Sequence, residues 1–336
     1  MKIILVGNHN PHFFNTVECR EKALRELGHK VIFFDARASF FPGRLRRALS
    51  FLQRWDARRN GERLIHLAKK ECPDLCLVVG TSAASETLKA LGKARIRTAL
   101  WTTDAPMDVP ALTGPAPFFD YIFCSGTEAV DLLKAAGPLK GEPRWLPFAC
   151  DPGIHRRVEL STEDRVRYGR AIAFVGSYYP NRREHFESLA DLDIGIWGPH
   201  WDRLGPRSPL KGKADPRRIN FDEWSRIYSA SDIVLVVHYN DGRTPCHQAS
   251  PKLFEAMACG AFVLCDDQKD ARAIFKDGEH LVFFKNKEDL RAKIVHYLAR
   301  PDERQRIAEA GRLQVVTRHT YQRRVEELLA LMNGSH

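Results

Sequence analysis

The sequence predicts an α/β protein built from two Rossmann-like domains that face a central cleft. Short apolar runs alternate with helix-length amphipathic segments along the whole chain, and this alternation favours parallel sheets covered by helices on both faces. A length of 336 residues exceeds one ordinary hydrophobic core. The alternation also starts afresh after a polar stretch at residues 151–170. We therefore expect two sheets in two domains.

The predicted elements follow one another in order. Strands are expected in the first half at residues 2–6, 30–35, 74–79, 97–102, 121–125 and 144–148, with helices at 16–27, 43–70, 84–91 and 128–136. Strands are expected in the second half at 171–175, 193–197, 233–238, 261–265 and 281–284, with helices at 182–189, 221–229, 251–258, 288–299 and 302–312. These series predict domains at 1–155 and 156–318, followed by a C-terminal helix within 319–336.

Composition excludes several classes of protein. The chain is 44% hydrophobic and 28% charged, as in globular proteins, and no apolar run approaches the ~20 residues that span a bilayer. Its eight cysteines lack a Cys-x-x-Cys pair and are predicted to be buried free thiols. There is no dinucleotide fingerprint, Walker loop or Gly-x-Ser-x-Gly elbow. The expected location is the cytoplasm.

The net charge of +10 is concentrated in part of the first domain. Seven arginines crowd one segment, at positions 44, 46, 47, 54, 58, 59 and 63, while apolar residues recur there at helical spacing, namely Leu45, Ala48, Leu49, Leu52 and Trp55. One interpretation is a solvated helix that covers the sheet. The other is a basic amphipathic surface, within residues 44–70, for an anionic membrane or an acidic acceptor. No nucleic-acid-binding module accompanies the charge, and no nucleic acid partner is expected.

The segment SPKLFEAMACG at 250–260 predicts a helix whose start suits phosphate. Pro251 fits the first turn and Ser250 is placed to cap it, while Lys252 adds a positive charge. Glu255, one turn further, could accept hydrogen bonds from two ribose hydroxyls. The pattern is typical of a nucleotide-diphosphate site, and an ordinary amphipathic helix is the alternative.

A second set of phosphate-binding candidates follows the strand predicted at 171–175. Gly176 and Ser177 allow close approach of the backbone, and Arg182 and Arg183 come shortly afterwards. The alternative for both arginines is surface charge on a helix.

The 250–260 segment resembles the donor-binding helix of GT-B glycosyltransferases. Further stretches are similar to the CgeB-like (spore maturation protein) branch of these enzymes: FVGS at 174–177, IWGPHW at 196–201, DGEHLVFF at 277–284, PDER at 301–304 and HTYQRR at 319–324. The resemblance implies a bacterial enzyme that transfers a sugar from a nucleotide-diphosphate donor, with uridine as the expected nucleoside. It implies a donor-binding second domain, an acceptor-binding first domain and a last helix that returns to the first.

The resemblance also assigns roles to single residues. It implies that Glu255 binds the ribose of the donor. His247 occupies the position where related enzymes carry a second glutamate that contacts the sugar, and His247, Tyr239 or Asn240 could replace that glutamate. In the WTTDAP segment at 101–106, Asp104 is the expected catalytic base. His9 and His12 are alternatives by their position after the first strand.

No metal or cofactor is expected, since no Asp-x-Asp stands where it would hold a metal for the donor; Asp191 and Asp193 match the spacing but fall in a predicted turn. The acceptor, whether glycan, protein or lipid-linked, stays open, and peripheral contact with the inner membrane face through 44–70 is included in the expectation. A nucleotide-sugar epimerase or hydrolase, or a non-catalytic nucleotide- or carbohydrate-binding protein, are the alternative functions.

Overall fold

Two parallel sheets organise the chain, as predicted; each has six strands, and the two-residue strand Ala214–Asp215 of the second sheet was not among the five strands predicted there. The computed structural model describes residues 1–10, 15–38, 41, 49–102, 104 and 106–334. The first unit comprises Met1–Pro147 together with the chain from Arg324 onward, and the second unit comprises Phe148–Arg323.

The first sheet has the strand order β2-β1-β3-β4-β5-β6, with all neighbours parallel. Its strands are β1 (Lys2–Gly7), β2 (Lys30–Asp35), β3 (Leu75–Val79), β4 (Thr98–Trp101), β5 (Tyr121–Cys124) and β6 (Pro143–Trp145). The helices described in this unit are α1 (Thr16–Glu26), α2 (Ser50–Glu71), α3 (Ser85–Lys93) and α4 (Thr127–Ala135). The strand order reverses between β1 and β3, and such a switch point is where open α/β sheets bind ligands, at their carboxyl ends.

The second sheet has the order β12-β11-β10-β7-β8-β9, again parallel throughout. Its strands are β7 (Ile172–Val175), β8 (Ile194–Trp197), β9 (Ala214–Asp215), β10 (Ile233–Val236), β11 (Val263–Asp266) and β12 (Val282–Phe284). Its helices are α5 (Thr162–Tyr168), α6 (Pro180–Glu187), α7 (Phe221–Ala230), α8 (Pro251–Ala258), α9 (Lys269–Ile274), α10 (Lys287–Leu298) and α11 (Pro301–Arg318). Here the order reverses between β7 and β10.

The last helix, α12 (Tyr321–Asn333), begins at the end of the second unit and lies mostly in the first. Val325, Leu328 and Met332 recur at helical spacing and are buried. The Arg324 guanidinium donates through Nε to the Pro147 carbonyl at 2.9 Å. Burial of this apolar stripe explains why the sequence continues a helix to the end of the described chain.

Local sequence signals account for several helix starts. Asn15 and Glu18 form a reciprocal capping box at α1, and Asn220 and Glu223 do the same at α7. In each box the side-chain oxygen of the N-cap asparagine accepts a hydrogen bond from the backbone N–H of the glutamate, which is the third helical residue. The glutamate carboxylate accepts a hydrogen bond from the backbone N–H of the asparagine.

Other predictions about elements also differ from the structure. The polar stretch at 151–170, where no helix was predicted, contains α5, and Ser161 caps the start of that helix in a capping box with Asp164. The helix expected to end at Arg312 continues as α11 to Arg318, because Val315 is fully buried and extends the apolar face. The strand expected to reach His238 ends at Val236. The His238 backbone N–H donates to the Asp266 carboxylate and so makes no hydrogen bond to a neighbouring strand.

The basic segment forms a helix, but its apolar residues are not arranged as expected. Leu64 and Ala68 of α2 face the core, whereas Leu49 and Trp55 are 42% and 43% exposed. Leu45 and Ala48, with the arginines at 44, 46 and 47, lie outside the described residues. No described helix has the length and apolar character needed to cross a bilayer.

The prediction of buried free thiols is confirmed for six of the eight cysteines. Cys72 is exposed and Cys246 is partly buried, while the other six are buried and unpaired with one another. Burial raises the pKa of Cys76, Cys124 and Cys259 to about 12, so these thiols stay neutral and serve as core residues.

Candidate functional site

The carboxyl ends of β7 and β10 meet at the switch point of the second sheet. Gly176 and Ser177 follow β7, His238 and Tyr239 follow β10, and the loop after β10 leads into α8. The residues predicted for the donor site in the second unit are therefore gathered on neighbouring loops and one helix start.

Helix α8 begins at Pro251 and ends at Ala258, and the predicted bounds are confirmed. Its apolar residues Leu253, Phe254 and Met257 are buried against the sheet. Ser250 occupies the N-cap position, but the prediction that its side chain caps the helix was wrong: among the described residues its hydroxyl makes no capping hydrogen bond. The Ser250 backbone N–H instead donates to His238 Nε2 at 2.9 Å.

Lys252 is half-buried beside the turn that follows β7. A Cβ atom added to Gly176 would lie 3.3 Å from Lys252 Cε, so the glycine leaves room for the lysine chain. Burial lowers the pKa of Lys252 and the nearby Arg182 charge lowers it further, while Glu255 opposes both. A nearby cation disfavours the charged form of the lysine, and an anion bound between the two would favour it.

Arg182 is buried, so the alternative of surface charge was wrong for this residue. It donates through Nε to the Val237 carbonyl at 2.7 Å and through Nη1 to the Ser177 carbonyl at 2.9 Å. Its guanidinium also lies over the Tyr179 ring at 4.7 Å. Burial lowers the pKa of Arg182 to about 10, and the side chain stays cationic at neutral pH.

Arg183, by contrast, lies on the outer side of α6. Its side chain is 40% exposed and its Nε lies 3.8 Å from the Glu187 carboxylate one turn later. An exposed pair of this kind contributes little to stability. Of the two arginines, only Arg182 lies at the edge of the sheet that carries Gly176.

Glu255 is partly buried on α8, one turn beyond Lys252. Burial raises the pKa of the Tyr228 hydroxyl well above its usual value, and the Glu255 charge raises it further. The carboxylate therefore lies close to a buried phenol and to the start of its own helix.

Tyr239 and His247 lie on the loop between β10 and α8. The Tyr239 hydroxyl donates to Asp241 Oδ2 at 2.9 Å, and its ring meets the Tyr179 ring edge-on at 5.0 Å. The next residue, Asn240, accepts the Gly242 N–H at 2.7 Å. The His247 carbonyl accepts the Asp270 N–H at 3.0 Å and so joins the loop to α9.

His238 is a buried residue next to these candidates that sequence reasoning missed. Within the described part of the chain, His238, Cys265 and Asp266 lie close enough to share a metal ion. Both imidazole nitrogens are already engaged, however, Nδ1 with Asp266 Oδ1 at 2.6 Å and Nε2 with the Ser250 N–H. The trio is therefore a hydrogen-bond network. Its only signal in the sequence is a histidine directly after an apolar run.

The two predicted catalytic residues have different surroundings in the first unit. Asp104 lies over Gly80, the residue after β3, where an added Cβ would come within 2.9 Å of both carboxylate oxygens. His9, after β1, stacks on Phe33 at 3.6 Å, and its Nε2 lies 2.7 Å from Glu21 Oε2. His12 lies outside the described residues.

Arg20 is a second buried residue that the sequence analysis passed over. It is fully buried in α1, its guanidinium lies 3.9 Å from the Trp101 ring centroid, and Nη2 lies 3.5 Å from the Thr102 carbonyl oxygen. It therefore reaches the strand end that precedes Asp104. The available signal was an arginine on the apolar stripe that Val17 and Leu24 define.

Residues 182–330 match a family model described as glycosyl transferase-like. The chain carries a glycosyltransferase domain. No curated protein matches this chain in sequence.

Solved structures show that its fold is that of the GT-B glycosyltransferases. Sucrose-phosphate synthase from Thermosynechococcus elongatus has a TM-score of 0.70 at 13% identity, over 99% of this chain and 98% of that one. Anabaena HepE in complex with UDP and glucose has a TM-score of 0.66 at 13% identity, over 99% of each chain. The lipopolysaccharide outer core galactosyltransferase WaaB has a TM-score of 0.67 at 14% identity, over 99% of this chain and 100% of that one.

Proposed function

We propose that this glycosyltransferase, a member of the CgeB-like branch, transfers a sugar from a uridine diphosphate sugar to an acceptor bound by the first unit. The observation that carries the proposal is the half-buried Lys252 at the start of α8, next to Gly176 and within the field of Arg182. That arrangement puts two positive charges and a helix N-terminus at the switch point of the second sheet. It suits a diphosphate leaving group.

The same charges account for a reaction without a metal ion. When the acceptor oxygen attacks the anomeric carbon, the bond from that carbon to the diphosphate oxygen breaks and negative charge grows on the diphosphate. Lys252 would bind that charge directly, while Arg182 adds to the positive potential. Ser250 and Ser177, with hydroxyls at the same edge, are further ligands, and Arg183 would need to leave Glu187 to join them.

The nucleoside and sugar would extend from this point along α8 and the loop after β10. Glu255 is proposed to accept two ribose hydroxyl hydrogen bonds. His247 and Tyr239 are proposed to contact the sugar, since they stand on the loop that precedes the helix. Uridine is supported by the solved complexes of Anabaena HepE with UDP and with UDP-glucose.

Asp104 is proposed to take the acceptor hydroxyl proton, and His9 is the second candidate. Asp104 is favoured because its carboxylate lies over Gly80, beyond the end of β4 and at the carboxyl edge of the first sheet.

We also propose that α2 brings the enzyme to the inner face of an anionic membrane. Leu49, Phe51 and Trp55 are exposed apolar residues at the start of this helix, and Arg54, Arg58 and Arg59 are exposed among them. Apolar side chains ringed by arginines suit an anionic bilayer surface, which a lipid-linked acceptor would share.

Calorimetry with UDP tests the donor site. Lys252→Met removes one charged hydrogen bond, worth about 1.5–3 kcal/mol, and should weaken UDP binding by about 10- to 150-fold. Lys269→Met is the matched control, since Lys269 is exposed at the start of α9. Glu255→Gln should also weaken binding. Unchanged affinity in Lys252→Met would overturn the proposed diphosphate site.

Turnover of UDP-sugars separates the proposal from its alternatives. A transferase consumes donor faster when acceptor is added, a hydrolase or epimerase turns it over without acceptor, and a binding protein leaves it intact. Asp104→Asn should keep UDP affinity while losing turnover. A variant that keeps the full transfer rate would exclude Asp104 as the base.

A further inference from the structure

A buried histidine joins three elements at the start of α8. His238, after β10, is 3% exposed. Its Nδ1 lies 2.6 Å from Asp266 Oδ1 at the end of β11, and its backbone N–H is 3.1 Å from each Asp266 oxygen. Its Nε2 is the atom that receives the Ser250 N–H, at 2.9 Å. The imidazole is therefore held on both edges.

These contacts decide where the imidazole proton lies. A backbone N–H can only donate, so Nε2 must offer its lone pair to Ser250. Nδ1 then carries the single proton and donates it to Asp266. Gln268 donates to the other Asp266 oxygen at 2.9 Å and fixes the carboxylate. The network is complete only when His238 is neutral.

The neighbouring backbone is held as well. Asn181 donates through Nδ2 to the His238 carbonyl at 2.8 Å, and Arg182 donates to the preceding carbonyl, that of Val237. The Ser250 hydroxyl makes no capping bond among the described residues. His238 thus joins the N-cap residue Ser250, two residues before Lys252, to the edge of the sheet by a hydrogen bond, in addition to the packing of Leu253 and Phe254.

We propose that His238 is a positioning residue for the donor diphosphate: its neutral imidazole holds the first turn of α8 in place, and its protonation releases that turn. The inference rests on the proposed function, in which the start of α8 binds the diphosphate. It adds a residue that touches no substrate and a dependence of donor binding on pH.

Protonation of the His238 imidazole would leave two hydrogen-bond donors facing each other, Nε2–H of His238 and the Ser250 backbone N–H. A cationic imidazole carries a hydrogen on Nε2, which would point at the Ser250 N–H. The charged groups on the elements packed around it are Asp266 of β11, Arg182 of α6 and Lys252 of α8. Cys265 of β11 is neutral, because burial raises the pKa of its thiol well above the usual value. We expect donor affinity to fall on the acid side.

Calorimetry with UDP from pH 8 to about pH 5 tests this on wild type and two variants. In His238→Gln the amide oxygen can replace Nε2 as acceptor and cannot be protonated, so affinity at pH 8 should stay within about threefold of wild type. In His238→Asn the amide can still reach Asp266 but not Ser250, so affinity should fall about tenfold at every pH. Thermal unfolding at pH 8 checks that both variants fold.

The decisive quantity is the ratio of wild-type to His238→Gln affinity at each pH. Terminal phosphates titrate near pH 6, and the ratio removes that contribution of UDP itself. The ratio should fall about tenfold from pH 8 to pH 5. A ratio constant within about twofold overturns the role of His238. Absence of UDP binding by wild type at every pH would instead overturn the proposed function.

Should a variant fail to fold, the wild-type imidazole gives the answer by nitrogen-15 NMR. At pH 8 the proposal requires the tautomer protonated on Nδ1. If UDP binds the neutral form about tenfold better, saturating UDP must lower the titration midpoint of His238 by about one pH unit. An anion acting only through its charge would raise that midpoint. A raised or unchanged midpoint contradicts the proposal.

Discussion

Three buried titratable side chains near strand ends have specific partners. Arg182 gives two hydrogen bonds to carbonyls, His238 is paired on both nitrogens, and Arg20 stacks on Trp101. Unmatched burial of such groups would cost several kcal/mol. Residues of this kind at the carboxyl ends of a parallel sheet are therefore informative about where the site lies.

Gly80 provides a test of where the Asp104 carboxylate lies. Gly80 has a φ of +59° and Gly28 a φ of +81°, but only Gly80 has a close neighbour, the carboxylate 2.9 Å from an added Cβ. Gly28→Ala should therefore cost only the ~1–2 kcal/mol of a left-handed alanine. Gly80→Ala should cost more. Urea unfolding measures both free energies.

A double mutant identifies the cause of the difference. Adding Asp104→Ala to Gly80→Ala removes the colliding carboxylate, so the two changes should cost less together than the sum of their separate effects. Strict additivity would show that Asp104 does not lie over Gly80.

At the scale of elements, the position of α8 depends on a glycine in the helix packed against it. Gly311, within α11, lies against the His280 carbonyl and against Met257 of α8. A side chain at this position would collide with the carbonyl oxygen and come within 2.8 Å of Met257 Cε. The glycine is what lets α11 pack closely on α8.

Gly311→Ala should lower the free energy of unfolding by about 1–3 kcal/mol, as overpacking does. Gly92→Ala is the matched control: Gly92 is also within a helix, has nothing within 4 Å of an added Cβ, and should gain up to about 1 kcal/mol. Thermal or urea unfolding compares the two. Equal effects would contradict the packing described for α11.

Sequence periodicity was most accurate where an element carries its own boundary signals. The bounds of α8 were predicted because Pro251 suits a first turn and Gly260, with a φ of +77°, suits a helix end. The start of α5 was missed because a short polar helix lacks an apolar stripe. The end of β10 was missed because a side chain on another strand, Asp266, takes the His238 N–H.

At the scale of the whole molecule, the net charge of +10 raises affinity for anionic surfaces in general. A test of the exposed side of α2 must therefore compare variants that have the same net charge. Replacing Arg54 and Arg59 by Gln should weaken binding to phosphatidylglycerol vesicles by about 2 kcal/mol, or about 30-fold. Replacing Arg207 and Arg218, which are exposed in the second unit, makes the same change in net charge. Sedimentation with vesicles measures both.

Equal losses in the two double variants would mean that the bilayer senses only net charge, and the α2 surface would then have no special role. Binding to neutral phosphatidylcholine vesicles as strong as to anionic ones would equally contradict the proposal, because arginine side chains would then contribute nothing to it.

The sequence by itself determined the alternation of strands and helices, the two parallel sheets and the helix that starts at Pro251, because these follow from local periodicity and turn chemistry. Only the tertiary structure decided which charges are buried and what they meet. It placed Arg182 at the sheet edge and Arg183 outside it, set Asp104 over Gly80, and linked His238 to Ser250 and Asp266. Such pairings join residues distant in sequence, and no local pattern encodes them.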